Sequence, residues 1–302
     1  METVDEALRV RELVLRIESD LMLSMGQFLR GEGFVEILPV IISPITDPLN
    51  HSVVDAKIEY YGGFYSLTKS MIFHKQLSLE VTPRIFSFSP NVRLETADRA
   101  TSGKHLIEFT QLDLEVRDAS RDDILSLVER MFVQAFSTVG QKFGDEIVKL
   151  NPRFAIPSVP FERVRYTNAI DKFGGDFESI LSKDATNPFW LIDIPIFERE
   201  FYDKLNDDGE TLADMDLIYP FGFGEGISGG ERENEYDKIV QRMRRKGNSL
   251  DDFEWYLEKA KSGLPRSAGC GIGIERLTRF ICGLDSVKDA RLFAKLPGKI
   301  SL

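Results

Sequence analysis

The chain has 302 residues, of which 42% are hydrophobic and 29% are charged, proportions that are ordinary for a globular protein with a sizeable core. No apolar run is long enough to span a membrane, the acidic N-terminal segment is unlike a signal peptide, and two cysteines are too few for a disulfide framework. These features predict a cytoplasmic protein. The net charge of −11 argues against a protein whose main task is to grip a nucleic-acid backbone.

Hydrophobic periodicity predicts elements of both types along the chain. In the first half they are an amphipathic helix over 4–30, a strand over 34–40, a loop over 40–63, a short strand over 64–68, a helix over 70–80, a long antiparallel hairpin built from 85–95 and 105–116, and a helix over 121–143. The segment 150–187 is predicted to be irregular, with one short helix near 167–173.

In the second half, strands are expected at 190–196 and 213–219, a glycine-rich stretch at 221–230, and helices at about 233–246 and 251–261. A tight strand and turn over 269–273 then leads into a last helix. Strands without regular alternation with helices indicate an α+β protein with a mainly antiparallel sheet. We expect a single domain over 1–302, with 145–187 as a variable insertion within it.

Several charged residues interrupt apolar strands, among them Arg93, Asp113 and Asp216. Taken singly, each is better explained as an outward-facing residue or part of a surface ion pair. Taken together, arginines and paired carboxylates are the groups that a polyphosphate and its divalent ion require. The chain has no Walker-type phosphate loop, no zinc-ligand spacing and no nucleophile elbow. Composition and spacing therefore indicate a phosphate-handling enzyme and go no further.

Three stretches resemble the signature motifs of class II aminoacyl-tRNA synthetases, specifically the aspartyl and asparaginyl branch. The long first helix with GFVEILPV resembles motif 1, VRLE with HLIEFTQLDLEV resembles motif 2, and GCGIGIERLTRFICGL resembles motif 3. The resemblance spans nearly the whole chain and is weakest over 145–187. It implies the class II fold, an antiparallel sheet flanked by helices, and a homodimer formed through motif 1.

The resemblance also implies a seat for ATP. Arg93 and Arg276 are expected to be catalytic, since Arg93 would contact the α-phosphate and the attacking carboxylate, and Arg276 would reach the γ-phosphate. Phe109 and Arg276 would hold the adenine between them, and Glu95 would read its amino group.

The remaining nucleotide contacts follow from the same matches. His105 would touch the outer phosphates, and Gly273 would let the backbone approach the nucleotide. Asp216 and Glu225 would hold Mg²⁺ on the triphosphate, at the spacing of the asparaginyl form of the motif.

The amino-acid site is expected to begin with Ser70 and Lys75, which start and end the stretch SMIFHK. Aspartyl enzymes carry a lysine at the position of Lys75, whereas asparaginyl enzymes usually carry an apolar residue there. With Arg232, the position that would grip the far end of the amino acid, Lys75 gives two cations for a doubly anionic substrate, which favours aspartate over asparagine. Asp113 would orient those cations together with Glu115.

The same stretch departs from the family at Ile72, which replaces a glutamine that holds the substrate's amino group. We expect this departure if the side-chain carboxylate of aspartate is the one activated. Lys75 and Arg232 would then hold the main-chain carboxylate, the amino group would move by about one bond, and Asp47 would take over its binding.

Synthetases of this branch carry an N-terminal anticodon-binding β-barrel, and this sequence starts at the motif 1 helix, so we expect no tRNA partner. The resemblance narrows to the free-standing archaeal asparagine synthetases related to asparaginyl-tRNA synthetase, which implies an AMP-forming ligase that makes asparagine from aspartate, ATP and ammonia. Two alternatives remain open. One is a truncated paralogue that charges tRNA or another acceptor, and the other is an inactive paralogue that senses amino acid or nucleotide.

Overall fold

An eight-stranded sheet forms the centre of the computed structural model, which describes residues 4–301. The strands are β1 (Val35–Glu36), β2 (Ile42–Ser43), β3 (Val53–Val54), β4 (Lys57–Tyr60), β5 (Gly63–Leu67), β6 (Arg84–Val92), β7 (Leu94–Glu95), β8 (Glu108–Arg117), β9 (Glu162–Arg165), β10 (Phe189–Ile192), β11 (Asp214–Tyr219), β12 (Gly224–Glu231) and β13 (Ser267–Gly273). The helices are α1 (Val4–Gly31), α2 (Ile72–Ser78), α3 (Arg121–Leu150), α4 (Tyr166–Phe173), α5 (Phe177–Asp184), α6 (Tyr236–Lys246), α7 (Glu254–Ser262) and α8 (Ile274–Cys282).

The strand order of the main sheet is β1-β6-β8-β13-β12-β11-β10-β9. Only the outermost pairs, β1 with β6 and β9 with β10, are parallel, and the five pairs between them are antiparallel. The predicted α+β class with a mainly antiparallel sheet is therefore confirmed. Two small sheets, β2-β5-β4 and β3-β7, lie outside the main one.

Helices α1 and α3 cover one face of the sheet. Ile17, Leu21 and Met25 of α1 are fully buried and belong to one cluster with Phe132 of α3 and Leu114 of β8. Each such side chain contributes roughly 1.5–3 kcal/mol on burial. Helix α3 begins with a capping box between Ser120 and Asp123. It continues beyond the predicted end at 143, where Phe143 has non-helical backbone angles (φ −127°, ψ 16°) that mark a kink.

Helices α2, α6 and α7 form a second core next to the other face of the sheet. Phe73 of α2 packs on Phe201, with ring centroids 5.8 Å apart, and on Tyr256 of α7 at 4.7 Å. Met243 of α6 completes this cluster. The packing fixes both α2 and the segment 199–203 beside the sheet, where they meet the site described below. None of the helices within residues 4–301 has the length and apolar character needed to cross a membrane.

Several regions differ from the sequence-based expectation. The segment 40–63, expected to be a loop, contains the short strands β2, β3 and β4, and the strand expected over 34–40 is limited to Val35–Glu36. The segment 150–187 contains a strand, β9, and a second helix, α5, in addition to the expected α4. The glycine-rich stretch is a central strand, β12, because its glycines admit close neighbours. A Cβ atom at Gly226 would lie 2.1 Å from the Tyr219 ring, and one at Gly229 would lie 2.3 Å from the Gly269 carbonyl oxygen.

Candidate active site

A cavity of about 350 Å³ lies on the face of the sheet opposite α1 and α3. Twelve of the fourteen predicted site residues line it: Asp47, Ser70, Lys75, Arg93, Glu95, His105, Phe109, Asp113, Glu225, Arg232, Gly273 and Arg276. The other two, Glu115 and Asp216, do not line the cavity. Glu115 contacts Arg232 and Asp216 contacts Arg199, and both arginines do line it. Residues far apart in sequence are thus assembled in one place.

Strand alternation explains how β8 serves both the core and the cavity. Leu112 and Leu114 point into the hydrophobic core, whereas Gln111 and Asp113 line the cavity. Glu115 lies on the same face as Asp113 and is fully buried. The apolar residues of the strand therefore hold it on the core, and the polar residues between them face the site.

One end of the cavity, which we call the outer end, contains Arg93, Phe109 and Arg276. The Arg93 guanidinium lies over the Phe109 ring, with Cζ 5.1 Å from the ring centroid, and its Nε donates to the Lys69 carbonyl oxygen at 3.1 Å. Arg93 makes no ion pair with any carboxylate of residues 4–301, so its charge is available to an anionic ligand. Arg276 Nη1 pairs with Glu225 Oε1 at 3.2 Å.

Gly273 sits where β13 ends and α8 begins. A Cβ atom built on it would meet only the Arg276 side chain, at 3.6 Å, which is ordinary van der Waals distance. The protein itself therefore does not require glycine at this position. The predicted close approach of a nucleotide at this position stays a prediction.

Glu95 and His105 belong to a hydrogen-bonded chain at the cavity wall. Glu95 contacts His51 Nε2 at 3.0 Å and Arg99 Nε at 3.5 Å. Arg99 Nη1 lies 3.0 Å from His105 Nε2, and Ser102 Oγ lies 2.7 Å from His105 Nδ1. Burial, together with the charge of Arg276, lowers the pKa of His105 to about 4. The ring is consequently neutral at physiological pH and offers hydrogen bonds rather than charge.

The proposed metal pair has an unexpected cation beside it. Arg199 pairs with Asp216 Oδ2 at 2.5 Å and with Asp214 Oδ2 at 3.1 Å. Burial raises the pKa of Asp216 to about 6, although Arg199 opposes the rise. Sequence reasoning missed Arg199, which lies between strands and follows no period.

Asp216 and Glu225 nevertheless fit a magnesium ion. Asp216 Oδ1 is buried and has no hydrogen-bond partner among residues 4–301, and the Glu225 side chain is 38% exposed in the cavity wall. Hard carboxylate oxygens are the ligands that Mg²⁺ prefers, usually one or two of them together with substrate phosphates. Within the described part of the chain, no cluster of three or more His, Cys, Asp or Glu side chains is arranged to hold a metal by itself. Two carboxylates would therefore share the ion with a triphosphate.

The opposite end of the cavity, the inner end, is built around Lys75 and Arg232, which are 2% and 4% exposed. Lys75 Nζ lies 2.9 Å from Asp113 Oδ1 and 3.9 Å from Glu115 Oε2, and it donates to the Cys270 carbonyl oxygen at 3.2 Å. Because Lys75 and Arg232 both contact Glu115, the two predicted cations belong to one network.

Arg232 uses most of its guanidinium in this network. Nε and Nη2 donate to the two carboxylate oxygens of Glu115 at 3.0 and 3.2 Å, Nη1 donates to Asp203 at 3.1 Å, and Nη2 also donates to the Gly269 carbonyl oxygen at 3.0 Å. Gly269 leaves the space for Glu115, since a Cβ atom there would lie 2.1 Å from its carboxylate.

The inner end therefore differs from the expected doubly positive pocket. Three buried carboxylates, Asp113, Glu115 and Asp203, already surround the two cations. Charge surplus alone does not select a dianionic substrate. What remains is N–H capacity. Arg232 keeps one Nη1–H beyond its four hydrogen bonds. Lys75 keeps one N–H beyond its contacts with Asp113 and the Cys270 carbonyl, because Glu115 at 3.9 Å is too far away for a hydrogen bond.

Asp47 and Tyr202 lie on another wall of the inner end. The Tyr202 hydroxyl donates to Asp47 Oδ2 at 3.0 Å, and the Leu49 backbone N–H donates to Oδ1 at 3.0 Å. Ile72 also lines the cavity and is 5% exposed. The segment 199–203 was not predicted to contribute to the site. Its charged and aromatic residues between two apolar strands were the only signal for it.

An α+β core thus carries one cavity with an arginine-lined outer end and an inner end of buried charged residues. The family model described as tRNA synthetases class II (D, K and N) matches residues 5–297. The chain belongs to this family. It carries an adenylate-forming class II synthetase core related to asparaginyl-tRNA synthetases.

Individual relatives agree with this membership. The asparagine–tRNA ligase of Pyrococcus abyssi is 29% identical over 309 residues, which cover 95% of this chain and 69% of the relative. The cytoplasmic asparagine–tRNA ligase of Debaryomyces hansenii is 27% identical over 95% of this chain and 55% of its own length.

Solved structures establish the fold. Asparaginyl-tRNA synthetase from Pyrococcus horikoshii, complexed with asparaginyl-adenylate, is 24% identical with a TM-score of 0.89, over 97% of this chain and 70% of that one. Aspartyl-tRNA synthetase from Entamoeba histolytica is 22% identical with a TM-score of 0.78, over 100% of this chain and 64% of that one.

Proposed function

We propose that the protein is an AMP-forming asparagine synthetase, which converts aspartate, ATP and ammonia into asparagine, AMP and pyrophosphate through an aspartyl-adenylate. The proposal depends on one observation. Two cations, Lys75 and Arg232, lie together at the inner end of the cavity, and both contact Glu115. Each cation can still donate a hydrogen bond to one carboxylate of the substrate. The other carboxylate, which reacts, would lie at Arg93, at the opposite end of the cavity. Aspartate has the two carboxylates that this division requires, and asparagine has one.

The first step would be attack by a carboxylate oxygen of aspartate on the α-phosphorus of ATP, with loss of pyrophosphate. Arg93 would stabilise the charge that develops on the phosphoryl oxygens, because its guanidinium lines the cavity and makes no ion pair with a carboxylate of the described residues. Arg276 would neutralise the outer phosphates. Mg²⁺ held by Asp216 and Glu225 would supply further positive charge to the triphosphate. In the second step the nitrogen of ammonia would attack the acyl carbon, AMP would leave with its oxygen, and the nitrogen would lose a proton.

We infer that the side-chain carboxylate of aspartate is the one activated. Ile72 is apolar and cannot bind the substrate's amino group, whereas Asp47 offers carboxylate oxygens on the wall of the inner end. With the main-chain carboxylate at Lys75 and Arg232, the amino group would reach Asp47. Trapping the adenylate with hydroxylamine identifies the activated carboxylate. Exclusive formation of the main-chain hydroxamate would contradict this inference, whereas main-chain activation gained by Ile72→Gln would support it.

The proposed activity is tested by incubating the protein with aspartate, ATP, Mg²⁺ and ammonium and measuring AMP and asparagine. Arg93→Met keeps the length of the side chain and removes the charge, so it serves as the inactive control. We expect AMP and asparagine in equal amounts from the wild type and at least about 100-fold less from the variant, the usual cost of removing one group that stabilises the transition state. Failure to release asparagine while pyrophosphate is released would refute the synthesis step alone.

A second candidate is transfer of the activated amino acid to tRNA or another acceptor. It is favoured by the relatives, whose names are asparagine–tRNA ligases. The same incubation separates the two functions when it is run with and without total tRNA and with either amino acid. Asparagine formation that is independent of RNA supports the synthetase. Charging of tRNA, with no asparagine formed in its absence, supports the transferase.

We further propose a homodimer through the motif 1 region. Strand β1 is the edge of the main sheet, and Val35 and Leu38 next to that edge are 49% and 89% exposed. An exposed apolar edge strand is usually covered by a partner. Light scattering should give the mass of a dimer for the wild type and of a monomer for Leu38→Glu. A monomeric wild type would refute the proposal.

A further inference from the structure

A second group of charged residues at the inner end is not explained by the roles above. Glu200 and Asp203 line the cavity next to Asp47 and are each 5% exposed. Both lie in the segment 199–203, which packs on α2 and α7 through Phe201. Their position is therefore fixed by the second core and does not depend on a free loop.

Glu200 has one satisfied and one unsatisfied oxygen. Oε1 pairs with Lys246 Nζ at 2.9 Å. Oε2 is buried and has no hydrogen-bond partner within residues 4–301. A buried carboxylate oxygen without a donor costs free energy, so a ligand that supplies an N–H group would be stabilised there. Burial raises the pKa of Glu200, Lys246 opposes the rise, and the charges of Asp47 and Asp203 add to it.

The charges around the inner end leave an excess of negative charge. The five carboxylates are Asp47, Asp113, Glu115, Glu200 and Asp203, and the four cations are Lys75, Arg232, Arg242 and Lys246. Arg199, the next cation, is already shared by Asp214 and Asp216. Asp47 has hydrogen bonds but no ion pair among the described residues. The buried Glu233 beside Arg242 adds to the negative charge. A positively charged ligand would therefore be favoured at this end.

The geometry suits a monovalent nitrogen cation better than a metal. The part of the chain that the structure describes holds no group of three or more side chains arranged for a metal ion. A protonated amine carries several N–H donors and a single charge, and charge-assisted hydrogen bonds to carboxylates are the strong ones. Glu200 Oε2 and the carboxylate of Asp47 are acceptors of the required kind.

We propose that Asp47, Glu200 and Asp203 form a binding site for a small protonated amine, which lies against Glu200 Oε2. The inference rests on the proposed function, and it specifies where the nitrogen of that reaction binds. Two sources have the same chemistry, the ammonium ion and the amino group of the amino-acid substrate. In either case Glu200 is a binding residue, and Lys246 positions it.

Three variants test the site. Glu200→Gln removes the charge and keeps the shape. Lys246→Met removes the partner of Oε1 and leaves the carboxylate free. Glu198→Gln makes the same chemical change at an exposed position two residues earlier and serves as the matched control. Melting temperatures measured first establish that each variant is folded.

Two assays distinguish the sources. The KM for ammonium is measured in asparagine formation, and the KM for aspartate is measured in ATP–pyrophosphate exchange without ammonium. We expect Glu200→Gln to raise one of these constants by about 10-fold or more, as loss of a charge-assisted hydrogen bond does. A rise for ammonium assigns the site to the ammonium ion, and a rise for aspartate assigns it to the amino group. Lys246→Met should lower the same constant or leave it unchanged, and Glu198→Gln should match the wild type.

The proposal is overturned if neither constant changes by more than about 2-fold in Glu200→Gln. It is also overturned if Glu200→Gln and Lys246→Met raise the same KM by the same factor, because Glu200 would then be only the structural partner of Lys246. If the wild type shows no exchange with aspartate, the proposed function fails separately. Two measurements on the wild type and on Glu200→Gln then decide the amine site. One is ATP–pyrophosphate exchange with asparagine. The other is the stabilisation of each protein by ammonium chloride relative to sodium chloride. Equal stabilisation of both proteins with unchanged exchange constants overturns it.

Discussion

Replacing Lys75 with methionine tests the network at the inner end. The substitution keeps the length of the side chain but removes the charge that lies 2.9 Å from Asp113. Asp113 is 1% exposed, so bulk water would compensate its charge only poorly after the partner is lost. Removing one member of a buried ion pair costs about 3–5 kcal/mol, because the other charge stays buried without compensation. At about 2.1 cal/mol/K of unfolding entropy per residue, a chain of this length should lose about 5–8 °C in melting temperature.

The double variant Lys75→Met, Asp113→Asn makes the reasoning specific. It removes both charges, so most of the lost stability should return even though the variant carries one more substitution. Thermal or urea unfolding of the wild type, both single variants and the double variant gives the coupling energy. In exchange assays the KM for the amino acid should rise in Lys75→Met while the KM for ATP stays within about 2-fold, because we propose that ATP binds at the outer end. A single variant as stable as the wild type, or a double variant no more stable than Lys75→Met, would refute the argument.

Three further predictions follow from single residues. Gly273→Ala should leave the melting temperature within about 1 °C of the wild type, because the added Cβ meets no obstacle in the protein. It should raise the KM for ATP about 10-fold or more, because the Cβ occupies the cavity wall. An unchanged KM would exclude contact with the nucleotide. In the absence of nucleotide, Arg199→Met should bind Mn²⁺ about 10-fold more tightly than the wild type in paramagnetic resonance titrations, because the substitution removes a cation next to Asp216. Equal binding would show that Arg199 does not oppose the metal. Burial, with the charge of Glu275, raises the pKa of Glu18 from 4.5 to about 7, so the stability associated with its protonated form is present below pH 4.5 and is lost as the pH rises to 7. Glu18→Gln should therefore be up to about 3 kcal/mol more stable than the wild type at pH 8 and equal to it at pH 4 in urea unfolding, and parallel pH profiles would contradict this.

Amphipathic helices were the most predictable part of the fold. Helix α1 was expected over 4–30 and spans Val4–Gly31, because its apolar residues recur at three- and four-residue steps and glycines follow. The end of α3 was less predictable. The expected boundary at 143 is the position of the kink, and the chain continues as a helix to Leu150.

Strands whose residues carry no alternation were missed. Strand β12 reads as a loop because half of its residues are glycines, and only the packed structure shows that the Tyr219 ring excludes a side chain at Gly226. Strand β9 has the sequence ERVR and lies at the edge of the sheet with mostly exposed side chains, so it lacks the hydrophobic signal of a buried strand.

The site was predictable where motifs fix residue types and unpredictable where the chain between motifs supplies them. The motifs led to Arg93, Phe109 and Arg276, and all three line one cavity. The segment 199–203 lies between strands and contributes Arg199, Tyr202 and Asp203 as well as Glu200. Neither period nor spacing indicates which of its side chains turn inward, because its path is set by the packing of Phe201 on Phe73.

The carboxylates supplied by that segment change how the inner end can recognise its ligand. Two cations alone would select a second carboxylate, but cations already contacted by Asp113, Glu115 and Asp203 do not form a positive pocket. The inner end has both spare N–H donors and an excess of negative charge, which together suit the zwitterionic end of an amino acid. Its carboxylate would lie at Lys75 and Arg232. Its amino group would lie at Asp47 and Glu200. The side chain of such an amino acid would extend toward Arg93, the position of the reacting carboxylate. Activation of the main-chain carboxylate would instead reverse the ligand, and only the ammonium ion would then be left as a donor to Glu200 Oε2. The unsatisfied oxygen of one buried glutamate thus bears directly on which end of the substrate reacts.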